Sequence, residues 1–239
     1  MKKLAVITGA SSGFGAAIAK RLSAQGYPLL LLARRLDAME ALALPNTLCR
    51  AVDVCDAIGF EQAVQEAESE YGAVDCLINN AGVMLLSELD VQDPKEWQTM
   101  IDVNISGVLN GMKVVMAGMK QRRCGTIVNI SSLAGQKSYE FHAAYCATKY
   151  AVHGLTEATR WELAPHNVRV IEISPGAAET ELISHISVPE VLEDYQNWKA
   201  SIGGVISADD VAAAIEFAIT LPQSVCVRDL KIAPTKQQN

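Results

Sequence analysis

Short apolar runs alternate with longer amphipathic segments along nearly the whole chain, and this alternation limits the possible folds more than any other feature. The runs, rich in leucine and β-branched residues, cover residues 4–8, 29–33, 47–52, 76–79, 126–131, 168–174 and, less regularly, 225–232. Because they are almost wholly apolar, we expect strands buried on both faces, as in a parallel sheet covered by helices. Residues 16–25, 56–71, 97–119, 142–164 and 209–221 show helical spacing of apolar side chains. The pattern predicts an α/β fold, a doubly wound parallel sheet of about seven strands with helices on both faces.

Composition and charge narrow the functional classes. The chain has 239 residues and a net charge of −7, and half of its residues are apolar, which fits a single domain over residues 1–239. Without a basic block we expect no nucleic-acid partner, and without an apolar run near about 20 residues we expect no membrane partner. The cysteines are scattered, the histidines are unclustered, and the apolar run 4–7 is too short for a secretory signal. These features predict a cytoplasmic protein without a metal site.

A glycine-rich turn follows the first predicted strand and opens the first predicted helix. Its spacing is Gly-x-x-x-Gly-x-Gly rather than the commoner Gly-x-Gly-x-x-Gly. Glycines at this place let backbone N–H groups approach a pyrophosphate at the positive end of the helix, which favours a Rossmann-like nucleotide site over a purely structural turn. The residues predicted to bind the cofactor here are Gly9, Ser11, Ser12, Gly13, Phe14 and Gly15.

The end of the second predicted strand indicates which dinucleotide would bind. An acidic residue there accepts hydrogen bonds from a free ribose 2′-hydroxyl, whereas a guanidinium accommodates a 2′-phosphate. This chain has Arg34 and Arg35, and its first acid is Asp37. We therefore predict NADP(H) as the cofactor, with Arg34 as the first choice for the phosphate contact and Arg35 as the second. The alternative is that both arginines form a solvated helix start.

Two further strand ends contribute candidate cofactor contacts. Asp53 and Val54 follow the third predicted strand, where an adenine ring would lie in such a sheet. Asn80, Ala81 and Gly82 follow the fourth, where buried asparagines can tie strands together and small residues leave room for a ribose. For this second group, structural support and direct contact both remain open.

The pair Tyr145 and Lys149 points to proton transfer. Four residues apart on a predicted helix, they share one face, and a nearby ammonium lowers the pKa of a phenol. Ser131 and Ser132 close the fifth predicted strand, and only one of them is expected to face a site beside the tyrosine. Asn104 is a polar residue among apolar ones and needs partners if it is buried.

Taken together, these motifs resemble the short-chain dehydrogenase/reductase family over essentially the whole chain. They are Thr8-Gly-x3-Gly-x-Gly15, Asn79-Asn-Ala-Gly82, Asn104, Ser132, Tyr145-x3-Lys149 and Pro175-Gly176. The resemblance implies a catalytic set of Asn104, Ser132, Tyr145 and Lys149. In it, Tyr145 exchanges a proton with the substrate oxygen, Ser132 orients the carbonyl, Lys149 lowers the pKa of the tyrosine, and Asn104 positions a water that relays protons.

The resemblance also implies cofactor contacts and an assembly. Tyr145 and Lys149 would contact the nicotinamide ribose, Pro175 and Gly176 would border the nicotinamide, and Thr180 would reach its carboxamide. Hydride would pass between the nicotinamide and a small-molecule carbonyl or alcohol substrate, with no metal. Pairing of the two long helices between subunits would give a homotetramer or a homodimer.

The substrate is the least constrained part of the prediction. The chain is similar to bacterial NADP-dependent dehydrogenases of serine and other 3-hydroxy acids, while a 3-oxoacyl thioester reductase, a general ketone reductase and a non-enzymatic NADPH sensor remain open. Residues 175–205 contain Pro189, Gly203 and Gly204 and are predicted to be irregular, with a flexible substrate loop at about 176–205. Lys137 or Lys199 could meet a substrate carboxylate, and His142 is interpreted as a wall residue rather than a proton shuttle.

Overall fold

The computed structural model describes residues 4–186 and 188–238 and is built on one seven-stranded parallel sheet. Its strands are β1 (Leu4–Thr8), β2 (Leu29–Ala33), β3 (Thr47–Ala51), β4 (Val74–Asn79), β5 (Thr126–Ile130), β6 (Arg169–Pro175) and β7 (Asp229–Ile232). They lie in the order β3-β2-β1-β4-β5-β6-β7, and all neighbouring pairs are parallel. The predicted doubly wound, Rossmann-like α/β sheet is confirmed.

Helices cover both faces of the sheet. They are α1 (Gly13–Ala24), α2 (Leu36–Glu40), α3 (Ala57–Tyr71), α4 (Pro94–Ile101), α5 (Gly107–Arg122), α6 (Ala143–Leu163), α7 (Pro189–Ser201) and α8 (Ala208–Thr220), with 3-10 turns at Leu133–Gly135, Ala164–His166 and Glu181–His185. Over the described part of the chain, none of the helices combines the length and the apolar character that crossing a bilayer requires.

The apolar character of the strands is explained by two cores, one on each face. In β1, Ala5 and Ile7 pack towards α1 and α8, whereas Leu4 and Val6 pack towards α3, α5 and α6. Successive side chains of a strand point to opposite faces, so a strand buried on both sides must be apolar at every position. The carboxyl ends of all seven strands meet at one edge, and the order of the strands reverses between β1 and β4, where open α/β sheets bind ligands.

The segment predicted to be irregular contains a 13-residue helix, α7, so that prediction is wrong in part. Pro189 does not break the helix because it occupies the first turn, where its missing N–H has no intrahelical partner to lose. Gly203 and Gly204 follow the helix with φ angles of +75° and +116° and end it. Ser187, within the predicted flexible loop, lies outside the described residues.

Two other boundaries differ from the sequence prediction. The helix predicted over 97–119 is α4 and α5 joined by a π-helical turn at Asp102–Ser106, and it begins at Pro94 because the Asp93 carboxylate accepts a hydrogen bond from the Lys95 N–H. The last strand is shorter than 225–232, since Val225 instead closes a turn by donating its N–H to the carbonyl of Pro222.

A matched pair of glycine substitutions tests how tightly β1 and α1 are joined. A Cβ atom on Gly15 would lie 2.3 Å from the carbonyl oxygen of Gly9, whereas one on Gly154 in α6 would meet nothing within 4 Å. We expect Gly15→Ala to lower the free energy of unfolding by about 1–3 kcal/mol. Gly154→Ala should instead be neutral or raise it by up to about 1 kcal/mol. Urea unfolding of both variants measures this, and equal midpoints would contradict the assignment.

Candidate active site

A cavity of about 810 Å³ opens at the carboxyl edge of the sheet and brings most of the predicted site residues together. All predicted catalytic and cofactor residues line it except two. Gly15 and Asn104 do not line the cavity, but each contacts a residue that does: Gly15 lies against Gly9, and Asn104 is hydrogen-bonded to Val83. The described residues contain no group of three or more histidine, cysteine or acidic side chains placed to hold a metal ion.

The glycine turn forms one end of this cavity with unused backbone donors. Gly9 and Gly13 have φ angles of +65° and +51°, a conformation that side chains other than glycine rarely adopt. Ser12 caps α1 without a side-chain hydrogen bond, and the first turn of the helix carries no acidic residue. The first N–H groups of α1 are therefore left for an anion, which fits a pyrophosphate.

Asn80 and Thr8 fasten the glycine turn to the end of β4. The Asn80 side-chain amide donates to the Thr8 carbonyl at 2.8 Å, and the Thr8 hydroxyl accepts from the N–H groups of Asn80 and Ala81 at 3.0 Å each. These bonds cross the point where the strand order reverses. The structural role that the sequence left open for Asn80 is therefore present.

Positive charge lies beside the glycine turn at the end of β2. Arg34 borders the cavity with an exposed side chain. The Arg35 guanidinium donates to the Ser12 hydroxyl at 2.9 Å and to the Glu181 carboxylate at 2.7 Å. Since a ribose 2′-phosphate is a dianion that binds guanidinium groups, the residues at this end fit NADP(H). Thr180, which caps the 3-10 turn carrying Glu181, lies over Gly13 at this same end.

The proton-transfer groups lie deeper in the cavity. The hydroxyls of Ser132 and Tyr145 are hydrogen-bonded, and Ser132 also accepts from the N–H of Ala134 at 3.0 Å. The Lys149 ammonium donates to the carbonyl of Ile130 at 3.0 Å and lies 5.8 Å from the centre of the Tyr145 ring. Ser131 also borders the cavity, but its hydroxyl donates to the backbone carbonyl of Lys149, so Ser132 is the serine that meets the phenol.

Burial shifts the pKa values of Tyr145 and Lys149 in opposite directions. Burial raises the pKa of Tyr145 above its ordinary value, and the hydrogen bond to Ser132 opposes this only in part. The lowering expected from Lys149 does not appear in this geometry. Burial lowers the pKa of Lys149 to about 8, against the opposing effect of the Glu172 carboxylate. The phenol is therefore held as a neutral proton donor at neutral pH.

Asn104 acts on the cavity wall through its side-chain amide. Its oxygen accepts from the N–H of Val83 at 2.9 Å, and its nitrogen donates to the Val83 carbonyl at 2.9 Å and to the Thr148 hydroxyl at 3.1 Å. The residue sits in the π-helical turn between α4 and α5, an irregularity often found at functional sites. The buried amide thus has the partners that the sequence analysis required, and it holds the irregular segment following Gly82 in place.

The chain terminus contributes a residue that the sequence analysis did not identify. The polar composition of residues 235–239 is typical of a solvated tail, yet Gln237 lines the cavity and its side-chain oxygen accepts a hydrogen bond from the N–H of Ala177 at 2.9 Å. A Cβ on Gly176 would lie 2.3 Å from the Gln237 side-chain oxygen. A single glutamine near a terminus carries no pattern, so nothing in the sequence indicated this contact.

Comparisons with known proteins agree with this geometry. A family model described as short chain dehydrogenase matches residues 3–190. An uncharacterized oxidoreductase of Staphylococcus saprophyticus is 38% identical over 98% of this chain and 97% of its own length. Among solved structures, a serine dehydrogenase complexed with NADP+ is 29% identical, with a TM-score of 0.91 over 99% of this chain and 96% of that one. An alcohol dehydrogenase from the archaeon Thermococcus sibiricus complexed with 5-hydroxy-NADP is 28% identical, with a TM-score of 0.86 over 100% and 99%.

The lowered pKa of Lys149 predicts an unusual dependence of stability on pH. Its pKa falls from 10.5 to about 8 on folding, so between these values the unfolded chain binds more protons and stability rises with pH. We expect Lys149→Met to raise the free energy of unfolding near pH 7 by about 1–3 kcal/mol, and the gain to shrink near pH 10. Urea unfolding at both pH values measures it. Lys113→Met, on an exposed position of α5, is the control, and a gain independent of pH would contradict the prediction.

Proposed function

This chain belongs to the short-chain dehydrogenase family, and we propose that it is an NADP(H)-dependent oxidoreductase that interconverts a secondary alcohol and a ketone or aldehyde. The observation that carries the proposal is the hydrogen-bonded pair of Ser132 and Tyr145 hydroxyls, buried in the same cavity as the glycine turn. A sensor that only binds NADPH would have no need of a buried acid placed there.

Tyr145 is the proton donor in the proposed reduction. Its phenol is buried, with 5% of the residue exposed, and its raised pKa keeps it protonated at neutral pH. Ser132 lies against the same hydroxyl, so a carbonyl oxygen that reaches both groups would accept two hydrogen bonds. That arrangement stabilises negative charge as it develops on the oxygen and places the proton next to it. The chemistry that NADPH supplies when bound is the hydride for the carbonyl carbon.

Lys149 and Asn104 contribute to the site around the proposed acid, Tyr145, through contacts with neighbouring backbone. The Lys149 ammonium is fixed by the Ile130 carbonyl at the edge of β5, next to Gly82, where a nicotinamide ribose would pass. The amide of Asn104 fixes Val83 and so the position of Gly82. We propose that Lys149 binds the ribose hydroxyls and that Asn104 positions the wall, with the water relay implied by the family passing near both.

We further propose a cytoplasmic homotetramer or homodimer. Leu109 on α5 and Tyr150 and Trp161 on α6 are apolar or aromatic residues that the single chain leaves 48%, 43% and 83% exposed. Helices that present such residues side by side bury them when they pair with a second copy. The cysteines are scattered and no disulfide joins them among the described residues, which fits a reducing compartment.

Removal of the proposed acid tests the function directly. We expect Tyr145→Phe to lower the turnover of carbonyl substrates with NADPH by at least about 100-fold, because the proton donor is lost while the ring still fills its place. NADPH affinity, measured by calorimetry, should change little. Tyr150→Phe, one turn along α6 and outside the cavity lining, is the matched control and should keep full activity. Undiminished turnover in Tyr145→Phe would refute the assigned role.

The cofactor preference is tested at the end of β2. We expect Arg34→Asp to weaken NADPH binding by about 10- to 100-fold, through loss of charge-assisted hydrogen bonds to the 2′-phosphate, and NADH binding far less. Lys20→Asp changes the charge by the same amount at an exposed position outside the cavity lining and should affect neither cofactor. Equal weakening of NADPH and NADH by Arg34→Asp would contradict the assignment of Arg34.

A further inference from the structure

We infer that the substrate is an uncharged carbonyl compound with an apolar or aromatic substituent, and not a carboxylate such as a 3-hydroxy acid. The inference rests on the proposed function, because it concerns the part of the same cavity that extends beyond Tyr145. Three features of the described residues carry it: the apolar wall, a row of aromatic rings, and the distribution of charge.

The wall beyond Tyr145 is apolar and comes from two separate parts of the chain. Met84 and Leu86 follow β4 and are 4% and 1% exposed, and Ala134 lies after β5. Ile183 and Val191 come from the segment 177–206, several of whose residues line the cavity. All of these residues pack in one cluster with Tyr145 and also line the cavity. A substituent placed here leaves water for an apolar surface, which favours binding by roughly 25 cal/mol per Å² buried.

A row of rings extends along the cavity from the reacting phenol. The centre of the Tyr145 ring is 6.3 Å from that of His142, which is 6.4 Å from that of Tyr195, which in turn is 5.5 Å from that of Trp198. The Tyr139 ring approaches His142 from the side, at 5.7 Å. All five rings line the cavity. Tilted rings at these separations offer edges and faces to a further ring, so an aryl group would fit among them.

Most of the positive charge lies at the other end of the cavity, and within the described part of the chain the one lining cation near Tyr145 is Lys149. Among the described side chains that line it, the permanent or ready cations are Arg34, Arg35 and Lys149. The two arginines flank the glycine turn, and Lys149 donates to the Ile130 carbonyl beside the proposed ribose site. Burial lowers the pKa of His142 below its ordinary value, so its ring is neutral at neutral pH.

Neither lysine that the sequence offered for a carboxylate lies in the cavity lining. Lys199 is paired with Glu179 at 3.6 Å, and Lys137 is exposed. The charged groups that do lie next to the aromatic row are the acids Glu140 and Asp194. A carboxylate placed among these rings would therefore lose hydration and, apart from Lys149, would meet no cation among the described lining side chains, which is unfavourable. The inferred substrate thus lacks the ionised carboxylate that serine carries, and so differs from the substrate named for the serine dehydrogenase to which the fold is similar.

A pair of ketones that differ in charge tests the inference on the wild-type enzyme with NADPH. The probes are methyl benzoylformate and the benzoylformate anion, which share the phenyl ring and the reacting carbonyl. We expect kcat/KM to be at least about 100-fold higher for the ester, because only the acid carries an unpaired charge into the cavity. Comparable or greater kcat/KM for the anion would overturn the inference and leave the proposed function standing. Binding of NADPH without its oxidation by either ketone would instead overturn the proposed function.

A variant that introduces a cation into the apolar wall provides a second test of the inference. Ile183 is half-buried, lines the cavity and belongs to the segment 177–206 rather than to the proton-transfer groups. Ile183→Arg should raise kcat/KM for benzoylformate by about 10-fold or more and lower it for the ester. Ile183→Gln, polar but neutral, is the matched control and should lower both. If Ile183→Arg, folded by circular dichroism and still binding NADPH, does not change the ratio of the two ketones, charge does not govern selection at this wall and the inference fails.

Discussion

The hydroxyl of Thr8 holds together the two halves between which the site forms. Thr8 is the last residue of β1 and is 1% exposed. Its hydroxyl accepts hydrogen bonds from the N–H groups of Asn80 and Ala81 at the end of β4. These are the strands on either side of the point where the strand order reverses. A buried hydroxyl that satisfies two backbone donors holds the ends of the two strands together. The glycine turn on one side and Gly82 on the other consequently form the two walls of one crevice.

The same burial that shapes this crevice determines its acid–base chemistry. Tyr145 and Lys149 are both almost fully buried, and desolvation disfavours the charged form of each, which raises one pKa and lowers the other. The pair therefore resists becoming an ion pair by itself. A carbonyl oxygen that takes the proton from Tyr145 leaves behind a phenolate that the site disfavours, so the phenol is restored readily. The site therefore holds Tyr145 in its protonated form at neutral pH.

The elements that the sequence could predict are those fixed by backbone physics. Strands buried on both faces must be apolar, and Gly15 has no space for a side chain, so both features leave a local signature. The family resemblance implies Ser132 rather than Ser131, and in the structure the Ser131 hydroxyl donates to the Lys149 carbonyl, whereas Ser132 lies beside Tyr145. The raised pKa of Tyr145 could not be predicted, because it depends on desolvation by parts of the chain distant in sequence. The contacts of Glu181 with Arg35 and of Gln237 with Ala177 were missed for the same reason: each joins segments with no shared pattern.

The segment 177–206 connects the two functions of the cavity. A β-bridge between Ala178 and Ile206 joins the two ends of the segment, and α7 lies between these ends. Near the start of the segment, Glu181 binds Arg35 beside the glycine turn. Within α7, Tyr195 and Trp198 belong to the row of rings that begins at Tyr145. One short piece of chain thus contacts both Arg35 beside the glycine turn and the rings beyond Tyr145, and its composition carries no sequence motif for either contact.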